Sequence, residues 1–179
     1  MAQAPLAARM RPRSLDEIIG QRHLSGPDAP FRHAVEGGHL PSVLLWGPPG
    51  VGKTSIARLL AEAGGLRFRQ ISAVTSGMKD LRAIIEGVKP SAGGLFGSAP
   101  TTGVLLFVDE IHRWNKAQQD ALLPHVEDGT IVLVGATTEN PAFEIIPALR
   151  SRCWMLRLHA LDDEALLAVL ARALHEPER

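Results

Sequence analysis

Several features are scarce or missing in this sequence, and each absence excludes a class of structure. The single cysteine, Cys153, excludes an internal disulfide and a zinc site built from several cysteines. The seven histidines show no H-x-x-x-H or cysteine-linked spacing, so none of them is assigned to a metal. Lysine plus arginine and aspartate plus glutamate number 19 each, which leaves no overall positive field for gripping nucleic acid.

Long hydrophobic runs are also missing. No apolar stretch reaches the roughly 18 residues that a membrane-spanning helix requires. The amino-terminal arginines Arg9, Arg11 and Arg13 are not joined to the hydrophobic core of a signal peptide. We therefore expect a cytoplasmic protein without membrane contact. At 179 residues, the chain suits one domain with a proper core and the beginning of a second.

The most informative feature that is present is a glycine-rich segment between a predicted strand and a predicted helix. Residues 47–54 read GPPGVGKT and fill every fixed position of the phosphate-binding P-loop, G-x-x-x-x-G-K-[ST]. Glycines let backbone N–H groups converge on phosphate oxygens, and the following helix points its positive end at the same anion. The chain is therefore predicted to bind a nucleoside triphosphate through Gly47, Pro48, Pro49, Gly50, Val51, Gly52, Lys53, Thr54 and Ser55.

Two residues of this loop have distinct expected roles. Lys53 is expected to reach the β- and γ-phosphates, where it would also assist catalysis. The hydroxyl group of Thr54 is expected to ligate Mg²⁺, which prefers oxygen donors and the phosphates of its substrate.

Short apolar runs alternate with helical patterns along the chain, which is typical of an α/β protein with a parallel sheet covered by helices. The runs at 104–108 and 131–134 are continuously apolar, as in strands buried on both faces. The predicted strands are 42–46, 67–71, 104–109, 131–136 and 153–158. The predicted helices are 30–36, 53–63, 78–88, 115–127 and 162–175. A Gly/Ser/Pro-rich segment at 91–103 is predicted to be a surface loop, without an assigned role.

The carboxyl-terminal helix has no core of its own to complete. We therefore predict a first domain over residues 1–160 and the truncated start of a helical domain over 161–179.

Two acidic residues follow the apolar strand at 104–108. Asp109 is expected to hold the Mg²⁺ shell, and Glu110 to orient and polarise the attacking water. Such a pair is by itself often a solvated turn, but its position after a complete P-loop favours the catalytic interpretation.

The next strand ends in Thr137, Thr138 and Asn140. In an open α/β sheet, ligands lie beyond the carboxyl ends of the strands, so Thr138 is expected to face the γ-phosphate. The alternative is that these polar residues only cap a turn before Pro141.

Arg152 precedes the last predicted strand. Its guanidinium would suit an arginine finger acting on a neighbouring subunit, although a surface salt bridge is the commoner role of an arginine.

Longer strings of the sequence extend beyond these motifs. They are Pro5–Pro12, Ile19–Leu24, Leu45–Gly50, Ile71–Gly77, Phe107–Arg113, Asn115–Asp120 and Gly135–Pro141. In these strings the sequence resembles the replication-associated recombination protein A family of AAA+ ATPases. That family is related to the clamp loaders and to the Werner helicase-interacting ATPase of eukaryotes.

The resemblance implies a three-layer α/β/α domain with sheet order 5-1-4-3-2 and ATP with Mg²⁺ as ligands. It implies hydrolysis by Glu110, a sensor role for Thr138, and an Arg152 that acts on ATP in the adjacent subunit. It also implies adenine contacts from Met10, Pro12, Ile18 and Ile19.

The function implied is a DNA-stimulated ATPase at stalled replication forks and recombination intermediates. The expected partners are single-stranded DNA, duplex ends, gaps or forks, single-strand-binding protein, and further copies of the chain in a homo-oligomer, usually a tetramer. A clamp-loader subunit, a branch-migration motor and a non-hydrolysing ATP-switched scaffold are the alternatives. Candidate DNA contacts, each equally readable as a solvated helix face, are Lys79, Arg82, Lys89, His112, Arg113 and Lys116.

Overall fold

A computed structural model of the chain describes residues 5–88 and 103–175. Its strands are β1 (Val43–Trp46), β2 (Arg67–Ser72), β3 (Val104–Asp109), β4 (Ile131–Thr137) and β5 (Trp154–Arg157). Its helices are α1 (Leu6–Arg9), α2 (Arg22–Ser25), α3 (Pro30–Glu36), α4 (Lys53–Ala63), α5 (Met78–Glu86), α6 (Lys116–Asp120), α7 (Leu123–Glu127), α8 (Pro141–Glu144), α9 (Pro147–Arg150) and α10 (Asp163–His175). Single 3₁₀ turns lie at Leu15–Glu17 and Ile111–Arg113.

The five strands form one parallel sheet in the order β2-β3-β4-β1-β5, which confirms the expected order 5-1-4-3-2. Strand β1, which leads into the P-loop, therefore lies between β4 and β5, and β4 separates it from β3. Because all strands run in the same direction, the segments after β1, β3 and β4 meet at one edge of the sheet.

Alternation of side chains along the central strands divides the core into two layers. On β3, Leu105 and Phe107 pack with helix α4, whereas Leu106 and Val108 pack with α5 on the opposite face. Both layers are fully buried at this strand, which explains why its sequence is continuously apolar rather than alternating. The α/β/α layering expected from the resemblance is thus present.

Most predicted elements are confirmed, with one clear error. The helix predicted over 115–127 is two short helices, α6 and α7, separated by Ala121 and Leu122. Pro124 explains the break, because it lacks an N–H and its ring would clash with the carbonyl group of Asp120. The helix predicted over 78–88 ends at Glu86, and the short helices α1, α2, α8 and α9 were not predicted.

Two residues outside the predicted site are buried in the core. Cys153 is one of them, and burial raises the pKa of its thiol to about 12. Trp114 closes the core beneath α5, where its indole N–H donates to the carbonyl oxygen of Ser76 at 3.3 Å. The segment 91–103, except for Gly103, lies outside the described residues.

Candidate nucleotide-binding and hydrolysis site

The P-loop joins the carboxyl end of β1 to the amino end of α4 in a conformation that needs its glycines. At Gly47 the backbone has φ 150°, and a Cβ there would lie 2.3 Å from the carbonyl oxygen of Leu158. Gly52 begins α4 with a left-handed φ of 97° and has open space where a side chain would project. The loop is therefore an open concavity, and the unpaired N–H groups of the first turn of α4 face it.

Lys53 lies at the centre of this concavity. Its ammonium group donates to the carbonyl oxygens of Gly47 at 2.7 Å and Pro48 at 2.8 Å. Burial lowers the pKa of Lys53, and the nearby carboxylates of Glu110 and Asp109 oppose that shift. The P-loop follows β1 and the acidic pair follows β3, so the lysine and both carboxylates lie at the same edge of the parallel sheet.

The acidic pair follows β3 directly, with a strained backbone. Asp109 is the last residue of the strand, and its Oδ1 accepts the backbone N–H of Glu110 at 3.1 Å. Glu110 has φ 54° and ψ 41°, and it is the only non-glycine with positive φ among the described residues. Such strain, where the surrounding structure enforces it, points to a functional position.

This strain predicts a stability gain when the side chain at position 110 is removed. Glu110→Gly should raise the free energy of unfolding of the nucleotide-free protein by about 1 kcal/mol, because glycine adopts this conformation without a Cβ clash. Chemical denaturation is the measurement. Glu110→Ala is the matched control, since it removes the carboxylate and keeps the Cβ; equal stability of the two variants would contradict the strain.

The oxygen atoms at this edge suit Mg²⁺. Thr54 follows Lys53 in the first turn of α4, and Asp109 ends the strand whose carboxyl edge faces the loop. Mg²⁺ characteristically binds one or two protein oxygens and takes its other ligands from water and phosphates. Among the described residues there is no cluster of three or more His, Cys, Asp or Glu side chains that could hold a metal ion.

Strand β4 brings two threonines to the same edge in different settings. Thr137 is fully buried, and its carbonyl oxygen accepts the N–H of Gly47 at 3.2 Å. Thr138, the predicted sensor, is the next residue and is exposed beside the start of the P-loop. Thr138 therefore lies at the edge of the sheet that carries the P-loop, and its sensor role remains a prediction.

A contact that the sequence did not reveal links this strand to Glu110. His112, in the 3₁₀ turn after β3, has Nδ1 at 2.8 Å from Oγ1 of Thr137 and Nε2 at 3.4 Å from Oε2 of Glu110. Its side chain is only 9% exposed. His112 is therefore an internal residue of the site, and its proposed roles as a DNA contact or a solvated surface residue are both wrong.

The four predicted adenine contacts share one apolar pocket with the P-loop. Met10, Pro12, Ile18 and Ile19 line it together with Gly50, Val51, Gly52, Ser55, Ile56, Leu161, Val169 and Arg172. The far wall comes from α10, where Arg172 donates to Oε2 of Glu17 at 2.6 Å. That hydrogen bond lowers the pKa of Glu17, and the ion pair joins α10 to the segment that lines the pocket.

The fold of this site matches a known family model. The model of the "ATPase family associated with various cellular activities (AAA)" matches residues 43–158 of the 179, from the first residue of β1 to just beyond β5. The chain belongs to the AAA family of ATPases. AAA domains bind ATP, so the triphosphate predicted from the P-loop is ATP.

Within the AAA family, the resemblance to replication-associated recombination protein A is confirmed. The proteins of that name from Coxiella burnetii and Escherichia coli are 49% and 48% identical over 175 residues, or 98% of this chain. The ATPase WRNIP1 of Dictyostelium discoideum is 43% identical over 171 residues. The chain spans 38% of the length of the two bacterial relatives and 19% of the Dictyostelium protein.

Among solved structures, the chain is similar to the RuvB Holliday-junction branch-migration motor of Thermotoga maritima. The two share 31% identity with a TM-score of 0.69, over 92% of this chain and 53% of that one. Within the part of the AAA chain that the structure describes, no helix has the length and apolar character needed to cross a membrane.

Arg152, unlike the other predicted site residues, lies away from the P-loop of its own AAA domain. It lies after α9, 38% exposed, with Nη2 at 2.5 Å from Oε1 of Glu127 and Nη1 donating to the carbonyl oxygen of Ala148 at 2.7 Å. The surface salt bridge anticipated as the alternative is therefore present, and a role toward a neighbouring subunit stays a prediction.

The other candidate DNA contacts lie on the surface of the AAA domain. Lys79 and Arg82 are exposed on α5, and Arg113 and Lys116 are exposed around the start of α6. Lys89 lies outside the described residues.

Proposed function

We propose that the protein hydrolyses ATP with Mg²⁺ and uses this reaction on DNA intermediates of replication and recombination. The observation that carries the proposal is the convergence of Lys53, Asp109 and Glu110 at one edge of the sheet. Burial lowers the pKa of Lys53, and the two carboxylates act in the opposite direction. A P-loop with a second carboxylate beside the metal-binding one suits hydrolysis better than storage of a bound nucleotide.

The chain's residues would divide the reaction as follows. The amide groups of the P-loop and the ammonium of Lys53 hold the β- and γ-phosphates, after Lys53 exchanges its two carbonyl partners for phosphate oxygens. Thr54 and Asp109 would hold Mg²⁺, which would supply positive charge to offset that of the phosphates. Glu110 accepts a proton from the water that attacks the γ-phosphate, and Thr138 contacts the phosphate from β4.

Arg152 would complete the site of an adjacent copy. Exposure of its guanidinium supports this role, because an arginine that stabilises charge on a neighbour's phosphate must lie on the surface. Assembly into a homo-oligomer, a tetramer by resemblance to the family, is part of the proposal. The divide at residues 160–161 is also proposed: α10 would be the first helix of a lid, and its exposed leucines Leu166, Leu167, Leu170 and Leu174 suit such a role.

The relatives named for replication-associated recombination support DNA as the partner. We propose single-stranded DNA, duplex ends, gaps and forks as targets, single-strand-binding protein as an associate, and the cytoplasm, at the nucleoid, as the location. ATP turnover by the natural-length protein on single-stranded, blunt, gapped and forked DNA tests this. We expect stimulation by at least one of these; ATP binding without phosphate release on any of them would favour an ATP-switched scaffold.

A branch-migration motor is the second candidate, because the similarity to RuvB extends over 92% of the chain. Migration of a four-way junction by the purified protein would support it. Capture of a sliding clamp would instead indicate a clamp-loader subunit.

A further inference from the structure

The inference concerns His112, and it rests on the hydrolysis proposed above. His112 follows the strained residue Glu110 by two positions, in the 3₁₀ turn that β3 enters. Each ring nitrogen faces a different part of the site. Nδ1 lies 2.8 Å from the buried hydroxyl of Thr137, and Nε2 lies 3.4 Å from Oε2 of Glu110.

Thr137 and Glu110 together favour one tautomer of the imidazole. Oγ1 of Thr137 already accepts the backbone N–H of Glu139 at 2.9 Å. Its own hydrogen can point to the carbonyl oxygen of Glu139 at 3.4 Å or to Nδ1 of His112 at 2.8 Å. The carboxylate of Glu110 can only accept, so it favours the arrangement in which Nε2 carries the ring hydrogen and Thr137 donates to Nδ1. A hydroxyl that donates to Nδ1 requires the neutral tautomer with its hydrogen on Nε2, the atom that faces Glu110.

We propose that His112 is a positioning residue for Glu110. Its Nε2–H holds Oε2 of the carboxylate, which leaves Oε1 to accept the proton of the attacking water. Because the other nitrogen is bound to Thr137, the histidine fixes the orientation of Glu110 relative to β4, the strand that also presents Thr138.

A histidine with only a packing role would not need this arrangement. The carboxylate that it faces is 32% exposed at the edge of the site, so the contact does not serve to satisfy a buried charge. The positive φ of Glu110 and the tight turn after it bring together two side chains only two residues apart. The strained backbone therefore has a geometric purpose, since it turns the catalytic carboxylate toward His112.

Two polar substitutions separate the two contacts. In H112N, the side-chain amide extends about as far as Nδ1 of the histidine, so it can hydrogen-bond to Thr137 but not to Glu110. In H112Q, the amide extends about as far as Nε2, so it can hydrogen-bond to Glu110. We expect H112N to lower kcat for ATP hydrolysis by about 10- to 100-fold at a KM and an ATP affinity within about twofold of wild type. H112Q should restore most of kcat.

The experiment uses the natural-length protein, with thermal unfolding recorded for each variant. H33Q, on the exposed surface of α3, is the matched control and should leave kcat unchanged. In an E110Q background, H112N should cause no further loss, because the group that it positions is no longer a base. The proposal is overturned by an H112N variant with wild-type kcat, by equal kcat values for H112N and H112Q, or by the same fold-loss in both backgrounds. Absence of hydrolysis by wild type would instead refute the proposed function.

Discussion

Replacing Glu110 with glutamine is expected to slow ATP hydrolysis by about 10²- to 10⁴-fold while ATP stays bound. Glutamine has the size and backbone preferences of glutamate, so the strained turn after β3 is kept. It cannot accept a proton from water, so the chemical step should fail although the P-loop and Asp109 are intact. Single-turnover phosphate release and equilibrium binding of a fluorescent ATP analogue measure the two steps separately.

Lys53→Ala should show the complementary defect. Loss of hydrogen bonds from a charged group to phosphate corresponds to about 1.5–3 kcal/mol, so ATP affinity should fall by roughly 10- to 150-fold.

The control for Glu110→Gln is Glu86→Gln, which removes the carboxylate of an exposed residue at the end of α5. Wild-type turnover by the Glu110→Gln protein would remove Glu110 from the mechanism, and unchanged affinity of Lys53→Ala would remove the lysine from the phosphate site.

Arg152→Ala is expected to reduce ATP hydrolysis by about 10³-fold in the assembled protein, with little change in ATP affinity. The ion pair with Glu127 offers a matched control, because Glu127→Gln removes the same contact and leaves the arginine. Both side chains are more than a third exposed, so the pair should contribute no more than about 1 kcal/mol to folding. A merely structural arginine would make the two variants equivalent, with small losses of stability and normal turnover.

Mixing of subunits tests whether Arg152 acts on a neighbour. An Arg152→Ala subunit keeps Glu110, and a Glu110→Gln subunit keeps Arg152. In a randomly mixed ring, about a quarter of the interfaces combine an intact site with an intact arginine, and activity should return to that extent. No recovery in oligomers shown to contain both subunits would contradict action in trans.

The parts of the site that could be predicted from the sequence are contiguous in the chain. The P-loop and the acidic pair each consist of neighbouring residues whose position relative to a strand was readable from hydrophobicity. The apolar pocket was predicted only through resemblance, since no rule of periodicity relates Met10 and Pro12 to Gly50. The break between α6 and α7 is encoded locally by Pro124, although the helical pattern around it predicts one continuous helix.

The partners of His112 and Arg152 could not be predicted, for a common reason. His112 meets Thr137, and Arg152 meets Glu127, each across 25 positions of the chain. Such contacts depend on the register between β3 and β4 and on the angles of short turns, which no local pattern encodes. The left-handed backbone at Glu110 is likewise imposed by its surroundings, because glutamate has no preference for it.

Gln21 attaches the amino-terminal segment to the chain just after strand β5. Its side-chain amide is fully buried, donating to the carbonyl oxygen of His159 at 2.8 Å and accepting the N–H of the same residue at 3.0 Å. The segment that lines the apolar pocket is thus fastened just beyond one end of β5, and Arg152 lies just before the other. The four residues of β5, about 13 Å of extended chain, are therefore the direct covalent connection between the attachment point of the pocket segment and the stretch that carries Arg152.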